Sequence, residues 1–187
     1  MSWANVRKSE HMFEKVKLTP LGLSTLIRLA RSPGKEFYLR ELVSEMNASL
    51  GGLQKVLKDL ERKKLLESRK SGRNIHYRAI EGHPAITNLK VAVNILELEP
   101  LISELRGHCV KAYLFGSCAT GEDTMESDVD MLIITEEPDV VRRLVKKVES
   151  SRTIKPIVHR PHEHMKAREK DPAFYENVEK GILLCGG

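Results

Sequence analysis

The sequence predicts an α+β protein of two domains, and three observations support that prediction. The chain has 187 residues, a length that fits one large domain or two small ones. Apolar residues recur at helical spacing up to residue 64, and a strand-like alternation follows directly. Charge divides the chain as well, because residues 1–84 carry 17 Lys and Arg against 9 Asp and Glu, whereas residues 85–187 carry 14 against 17. A basic module joined to a mildly acidic one indicates two tasks, the first with a polyanion as partner.

Composition excludes several classes of protein. Charged residues make up 30% and hydrophobic residues 41% of the chain, which is typical of a folded domain rather than a disordered or collagen-like segment. No stretch reaches the roughly 18 apolar residues of a membrane span, and residues 1–12 are too polar for a signal peptide. Cys109, Cys118 and Cys185 are odd in number and form no CxxC pair, so we expect reduced thiols and a cytoplasmic location.

Three helices are predicted in the first half of the chain. Thr19 fits the N-cap of the first helix, and Pro20 fits its first position. Apolar residues recur at helical spacing in each segment, and those of the third helix are all leucine or valine. The predicted helices begin at residues 19, 39 and 49 and end before residues 32, 47 and 65.

A β-hairpin is predicted directly after the third helix. Residues 65–70 and 74–79 have the strand period of two and flank the turn formed by residues 71–73. Three short helices followed by a basic hairpin resemble the winged helix-turn-helix domains of microbial regulators, notably in "LKDLERKKLLESRKSGRNIHYRA". The resemblance implies that the third helix enters the major groove of double-stranded DNA.

The resemblance also implies which residues contact DNA. Exposed residues of the third helix would face base edges, and those of the hairpin would meet phosphates or reach into a minor groove. The same fold can serve instead as a protein–protein or dimerisation module. Since winged helices often bind palindromic sites as two-fold dimers, we expect a homodimer. The predicted DNA contacts are Gln54, Lys55, Lys58, Arg69, Lys70 and Arg73.

The chemistry of the second half follows two predicted strands. An apolar strand at residues 110–115 runs into Gly116 and Ser117. After ten intervening residues, Asp128 and Asp130 open a second apolar strand. Glycine lets the backbone approach a ligand closely, and an adjacent helix start would offer amide groups to phosphates. Carboxylates two residues apart on a strand project from one face, about 6.6 Å apart at the backbone. Such a pair predicts a site for Mg²⁺ (or Mn²⁺) shared with a nucleoside triphosphate.

This pattern resembles the nucleotidyltransferase superfamily that includes DNA polymerase beta, in its minimal form. The segments "YLFGSCATGEDTMESDVDMLIITE", "IKPIVHRP" and "GILLCGG" carry the resemblance, and the chain after residue 17 resembles archaeal winged helix–nucleotidyltransferase fusions. The resemblance implies that Gly116 and Ser117 hold the nucleotide phosphates. It also implies that Asp128 and Asp130 hold divalent metal and act in catalysis.

The resemblance implies four parts in the chain. Two of them are domains: a winged helix-turn-helix domain comes first, and a small mixed-sheet nucleotidyltransferase domain follows. An N-terminal extension precedes the first domain, and a connecting helix leads to the second. The expected ranges are 1–17 for the extension, 18–82 for the winged helix, 83–99 for the connecting helix and 100–187 for the nucleotidyltransferase-like domain.

The sequence departs from the family pattern at two positions. Many minimal members have a basic residue directly after the Gly-Ser pair, where this chain has Cys118. The family also places a third carboxylate on the following core strand, where it helps to bind metal and to deprotonate the acceptor hydroxyl. The predicted strand at residues 153–158 contains no Asp or Glu, and Glu149 and Glu163 lie outside it. A nearby group of three histidines, within residues 159–164, is expected to be a solvated helix start.

Three functions are consistent with these observations. The first is a DNA-binding enzyme that transfers a nucleoside monophosphate from a nucleoside triphosphate to an acceptor hydroxyl. The second is a transcriptional regulator whose catalytically degenerate domain senses nucleotide. The third is an antitoxin-like nucleotidyltransferase that acts on a protein acceptor. The intact Gly-Ser and Asp-x-Asp motifs favour the first, and the missing third carboxylate and the basic first half favour the second.

Overall fold

The computed structural model describes residues 17–186, and the chain divides into two compact units, residues 1–83 and residues 84–187. Each unit has its own β-sheet, so the α+β prediction is confirmed. The expected extension at residues 1–17 lies outside the described residues except for residue 17. Residues 1–12, which are expected to form no signal peptide, also lie outside the described residues. Across the described residues, no helix combines the length and the apolar character needed to cross a membrane.

The described part of the first unit contains three helices and a three-stranded antiparallel sheet. The predicted cap is present, because the Thr19 hydroxyl accepts a hydrogen bond from the Gly22 amide at 3.0 Å. Ser49 caps the third helix in the same way through the Gly52 amide, at 3.1 Å. The elements are α1 (Pro20–Ala30), β1 (Phe37–Tyr38), α2 (Leu39–Glu45), α3 (Leu50–Arg62), β2 (Leu66–Ser71) and β3 (Asn74–Ala79).

The sheet of the first unit has the order β1-β3-β2. Strand β1 is not predicted from the sequence, because it has only two residues and is defined by pairing of Phe37 with Tyr77. Helix α3 buries Leu53, Leu57 and Leu60 as its apolar spacing predicts. The opposite face of α3 is left exposed.

The second unit contains a four-stranded mixed sheet with the order β6-β5-β4-β7. Strands β5 and β6 are parallel, whereas β4 is antiparallel to both of its neighbours. The elements are α4 (Pro84–Leu105), β4 (Lys111–Phe115), α5 (Ser117–Thr120), β5 (Val129–Ile134), α6 (Pro138–Lys147), β6 (Ile154–His159), α7 (Pro161–Lys170), α8 (Pro172–Glu179) and β7 (Ile182–Cys185).

Strand β5 runs through the middle of this unit and contributes to a core on each face of the sheet. Val129, Met131 and Ile133 belong to the larger cluster, together with apolar residues of α4 and α6. Leu132 and Ile134 belong to a smaller cluster with residues of α8. The sheet is therefore covered on both faces, and any polar residue within β5 must lie near an end of the strand.

Helix α4 is longer than the sequence predicts. The sequence places a connecting helix at residues 83–99 and a break at Pro100, whereas α4 continues through Pro100 to Leu105. A proline inside a helix costs about 3 kcal/mol because it removes one hydrogen bond and crowds the preceding turn. Leu101, Ile102 and Leu105 are almost fully buried beyond it, and their packing offsets that cost.

Candidate functional site

The Gly-Ser and Asp-x-Asp motifs meet at one end of strands β4 and β5. Phe115, the last residue of β4, is the cross-strand partner of Asp130. Gly116 follows with φ of +68°, and a Cβ atom there would lie 2.9 Å from Oδ2 of Asp130. Both the backbone conformation and this close approach favour glycine. The two motifs predicted to share a ligand are thus adjacent.

The two aspartates differ in their surroundings. Asp128 precedes β5 by one residue, and Asp130 lies within the strand on the face that carries Leu132 and Ile134. Both carboxylates are partly exposed. Burial raises the pKa of Asp130, and the neighbouring carboxylate of Asp128 raises it further, while Lys155 opposes both effects.

The strand expected to carry a third carboxylate instead has a lysine beside the two aspartates. In the parallel pair of β5 and β6, the residue opposite Asp130 is Lys155. Its Nζ lies 2.6 Å from Oδ2 of Asp128, and this ion pair raises the pKa of Lys155. Glu163 instead accepts a hydrogen bond from the Arg160 amide at 2.8 Å and caps α7. Within residues 17–186, no group of three or more His, Cys, Asp or Glu side chains is arranged to hold a metal ion.

The loop between the two motifs is anchored by a buried polar network that the sequence analysis missed. Asp123 is fully buried, and its carboxylate accepts hydrogen bonds from Arg152 and Asn94, each at 3.1 Å. Lys90 lies 3.7 Å from the same carboxylate and also donates to the backbone carbonyl of Asp123. Arg152 in turn forms an ion pair with Glu97 at 2.8 Å.

This network connects helix α4 to the backbone around both motifs. Asn94 donates to the carbonyl of Cys118 at 2.8 Å, directly after the Gly-Ser pair. Arg152 approaches from the segment before β6 and lies 3.4 Å from the sulfur of Cys118. Cys118 is buried, and its thiol donates to the carbonyl of Asp128 at 3.4 Å. Lys90 and Asn94 lie one helical turn apart within an apolar helix, and this spacing could have indicated a buried polar network.

The side chains predicted to contact DNA all lie on the surface of the first unit. Gln54, Lys55 and Lys58 are exposed on α3, opposite its buried leucines. The hairpin is confirmed with a tighter turn than predicted, consisting of Gly72 and Arg73 only. The exposed hairpin residues are Arg69, Lys70 and Arg73.

Within residues 17–186, Arg69 is the predicted DNA contact that has an acidic partner. Its guanidinium donates to both carboxylate oxygens of Glu36, at 3.1 and 2.7 Å. This pairing lowers the pKa of Glu36 and raises that of Arg69. A phosphate group would have to compete with Glu36 for Arg69, whereas Lys70 and Arg73 extend toward the tip of the hairpin.

The expectation of a solvated histidine cluster is wrong for His164. Its side chain is buried against Tyr175, with ring centroids 5.3 Å apart, and burial lowers its pKa. His159 also lies near Tyr175, at 6.1 Å. His162 alone is exposed at the start of α7. The histidines therefore belong mainly to the packing between α7, α8 and the sheet.

Comparison with known families finds a similarity within the second unit. A family model described as "Polymerase beta, Nucleotidyltransferase" matches residues 99–186. The matched segment contains the Gly-Ser pair, both aspartates and all four strands of the second sheet. Over these residues the second unit is thus similar to this nucleotidyltransferase family. No curated protein matches the chain in sequence.

Several solved structures are similar to parts of the chain. Rv0081 of M. tuberculosis is 21% identical, with 55% of this chain and 97% of that chain covered and a TM-score of 0.40. A ZitR mutant of Lactococcus lactis in complex with DNA is 18% identical over 57% and 84% of the two chains, with a TM-score of 0.39. A candidate nucleotidyltransferase from Sulfolobus solfataricus is 18% identical over 56% and 90%, with a TM-score of 0.37. Since these TM-scores are below 0.5, the roles of individual residues rest on the geometry above.

Proposed function

We propose that this chain is a DNA-binding protein whose second domain binds a nucleoside triphosphate together with a divalent cation. The nucleotide phosphates lie against Gly116 and Ser117, and Asp128 and Asp130 hold the cation. The observation that carries this proposal is the contact between the two motifs. The Gly116 backbone lies so close to the Asp130 carboxylate that phosphate and metal would share one small site.

The donor set fits one Mg²⁺ or Mn²⁺ ion. Carboxylate oxygens are the ligands that these hard cations prefer, and bound phosphates can supply further oxygens. The partial burial that raises the pKa of Asp130 disfavours its unpaired charge, and a cation would relieve that cost. When bound, the ion would neutralise phosphate charge and help to orient the reacting groups.

The reaction that fits this arrangement is transfer of a nucleoside monophosphate. The oxygen of an acceptor hydroxyl forms a bond to the α-phosphorus, and the bond from that phosphorus to the bridging oxygen of pyrophosphate breaks. The acceptor proton is lost to solvent or to a group on the acceptor, because the strand expected to carry a carboxylate base has Lys155 opposite Asp130 and no Asp or Glu. We therefore expect slow transfer.

Lys155 also favours a second candidate function. A site that binds nucleotide but has a lysine in place of the third carboxylate suits a regulator that senses nucleotide without consuming it. Both functions require the same binding site, and they differ only in whether label is transferred. A transfer assay separates them.

In that assay, protein, Mg²⁺ or Mn²⁺ and each α-labelled nucleoside triphosphate are incubated alone, with DNA and with cell extract. The control is the double variant Asp128→Ala/Asp130→Ala. Label on an acceptor that requires both aspartates supports the transferase. Binding of nucleotide without any transfer supports the sensing regulator, and absence of both contradicts the whole proposal.

The first domain is proposed to bind double-stranded DNA through α3 and the hairpin, as a homodimer on a two-fold site. Each neutralised phosphate adds about −0.9 to the slope of log affinity against log salt. Removing Lys70 and Arg73 together should flatten the slope by about 2 units, if each meets one phosphate. Replacing Arg69 should have a smaller effect, because Glu36 already neutralises it. Equal slopes for the wild type and the Lys70/Arg73 variant would contradict the role of the hairpin.

A further inference from the structure

Lys155 lies beside the carboxylates of Asp128 and Asp130, both in the strand register and through a direct contact. It lies opposite Asp130 in the β5–β6 pair, and its ammonium forms the 2.6 Å ion pair with Asp128. Its side chain is 62% exposed, so the ammonium is not locked in the interior and can leave Asp128 for another anion. The two carboxylates and this ammonium together carry a net charge of −1 when all three are ionised.

We infer that Lys155 is a resident cation, which takes the place of a second metal ion and leaves room for one divalent ion per bound nucleotide. This inference rests on the proposed nucleotide site and deepens it. In the free protein the ammonium neutralises Asp128. When the nucleotide and its single metal ion bind, the ammonium turns from Asp128 to the phosphate oxygens.

Electrostatics supports one metal ion rather than two. Two divalent ions bring a charge of +4 to a site where the protein supplies only two carboxylates. The bound triphosphate must compensate for the rest, and Lys155 adds a further positive charge next to the ions. Like charges a few Å apart repel strongly unless intervening anions compensate for them. A third carboxylate on β6 would add to that compensation, whereas Lys155 on the same strand makes the repulsion worse.

The side chain of lysine is suited to this exchange. It carries a point charge on a flexible four-carbon stem, and its three donors can bind carboxylate or phosphate oxygens in turn. An exposed ion pair of this kind contributes little to stability, so breaking it is inexpensive. The pair with Asp128 can therefore exchange without disturbing the fold.

Binding of Mn²⁺ tests the inference without any measurement of catalysis. Mn²⁺ is titrated into the full chain by electron paramagnetic resonance, with and without a non-hydrolysable nucleoside triphosphate analogue. The proteins are wild type, Lys155→Gln and Lys155→Glu. Lys147→Gln is the matched control, because it removes the same charge from an exposed lysine on α6.

Without nucleotide, Lys155→Gln should bind Mn²⁺ about tenfold more tightly than wild type, the scale of one unit charge removed from beside a divalent ion. Lys147→Gln should match wild type. With nucleotide, wild type should hold one Mn²⁺ per complex and Lys155→Glu two. Wild type with two ions, or equal Mn²⁺ affinity of Lys155→Gln and Lys147→Gln, would overturn the inference.

The two proposals fail in different ways. If nucleotide binds to none of the proteins but Lys155→Gln still gains Mn²⁺ affinity, the proposed nucleotide function is wrong and Lys155 remains a resident cation of the carboxylate pair. If nucleotide binds but Lys155 has no influence on the number or the affinity of metal ions, the inference is wrong and the nucleotide site remains.

Discussion

Replacing Asp123 with alanine should destabilise the second domain severely. The carboxylate is fully buried and faces Arg152, Asn94 and Lys90. Truncation would remove one negative charge and leave the ammonium of Lys90 and the guanidinium of Arg152 in a buried site. Glu97 remains as a partner of Arg152, whereas the buried ammonium of Lys90 would lose the carboxylate 3.7 Å away.

The magnitude follows from the burial of the charges that remain. Breaking a buried ion pair by removal of one partner costs about 3–5 kcal/mol. Two unit charges about 4 Å apart attract by roughly 4 kcal/mol at an effective dielectric constant of about 20, which agrees with that range. In a domain of this size each kcal/mol lowers Tm by roughly 4–8 °C, so the expected loss exceeds about 10 °C.

Differential scanning calorimetry measures this loss, with Asp139→Ala as the matched control. Asp139 pairs with Arg142 at 3.3 Å but is 79% exposed, so its removal should cost at most about 0.5 kcal/mol. Asp123→Asn, which keeps the shape but not the charge, should lie between the two. If Asp123→Ala unfolds within about 1 °C of Asp139→Ala, the buried network is not what stabilises this domain.

Three further predictions concern single side chains. Gly116→Ala should weaken Mn²⁺ binding and cost about 1–3 kcal/mol, because its φ of +68° and ψ of −155° lie in a region almost restricted to glycine and a Cβ atom would lie 2.9 Å from Asp130. Gly72→Ala, with φ of +60° and open space, should cost only the backbone strain and leave Mn²⁺ binding unchanged. Asp130→Asn should raise Tm at pH 7, because burial raises the pKa of Asp130 above its ordinary value of 3.8 and the wild type loses stability as pH rises through that pKa. In thermal melts the difference in Tm between the variant and the wild type should vanish toward about pH 4. An unchanged difference at that pH would contradict this prediction. Burial and the adjacent Cys185 raise the pKa of Cys109 to about 12, so its thiol should react with iodoacetamide at pH 7 much more slowly than an ordinary cysteine. Mass spectrometry of the native protein measures this, and rapid labelling would be the contrary result.

The sequence predicted those helices and strands whose residues show a local capping or apolar-spacing pattern. Thr19 and the apolar spacing of the third helix located the helices, because capping and amphipathic burial depend on neighbours a few residues away. The Gly-Ser and Asp-x-Asp motifs are close in the fold because the two strands that carry them pair antiparallel, which brings the end of β4 beside the start of β5. The prediction that these two motifs form one site was therefore within reach of the sequence.

Features that depend on distant partners were not predicted. Strand β1 exists through its pairing with β3, and α4 continues through Pro100 because residues beyond the proline are buried. The sequence showed Lys155 only as a strand residue without a carboxylate, since its register opposite Asp130 is a property of the parallel sheet. Asp123 appeared to be an ordinary loop residue, because its partners come from α4 and from the segment before β6.

The central claim is that Asp128 and Asp130 bind nucleotide through a divalent cation. Isothermal titration of a non-hydrolysable nucleoside triphosphate analogue tests it most directly, with Mg²⁺ and with a chelator, for wild type and for Asp128→Asn/Asp130→Asn. Lys147→Gln controls for an unrelated change of charge. We predict binding by wild type and by Lys147→Gln that requires Mg²⁺, and no binding by the double variant. Equal affinity of the double variant and wild type in Mg²⁺ would contradict the claim.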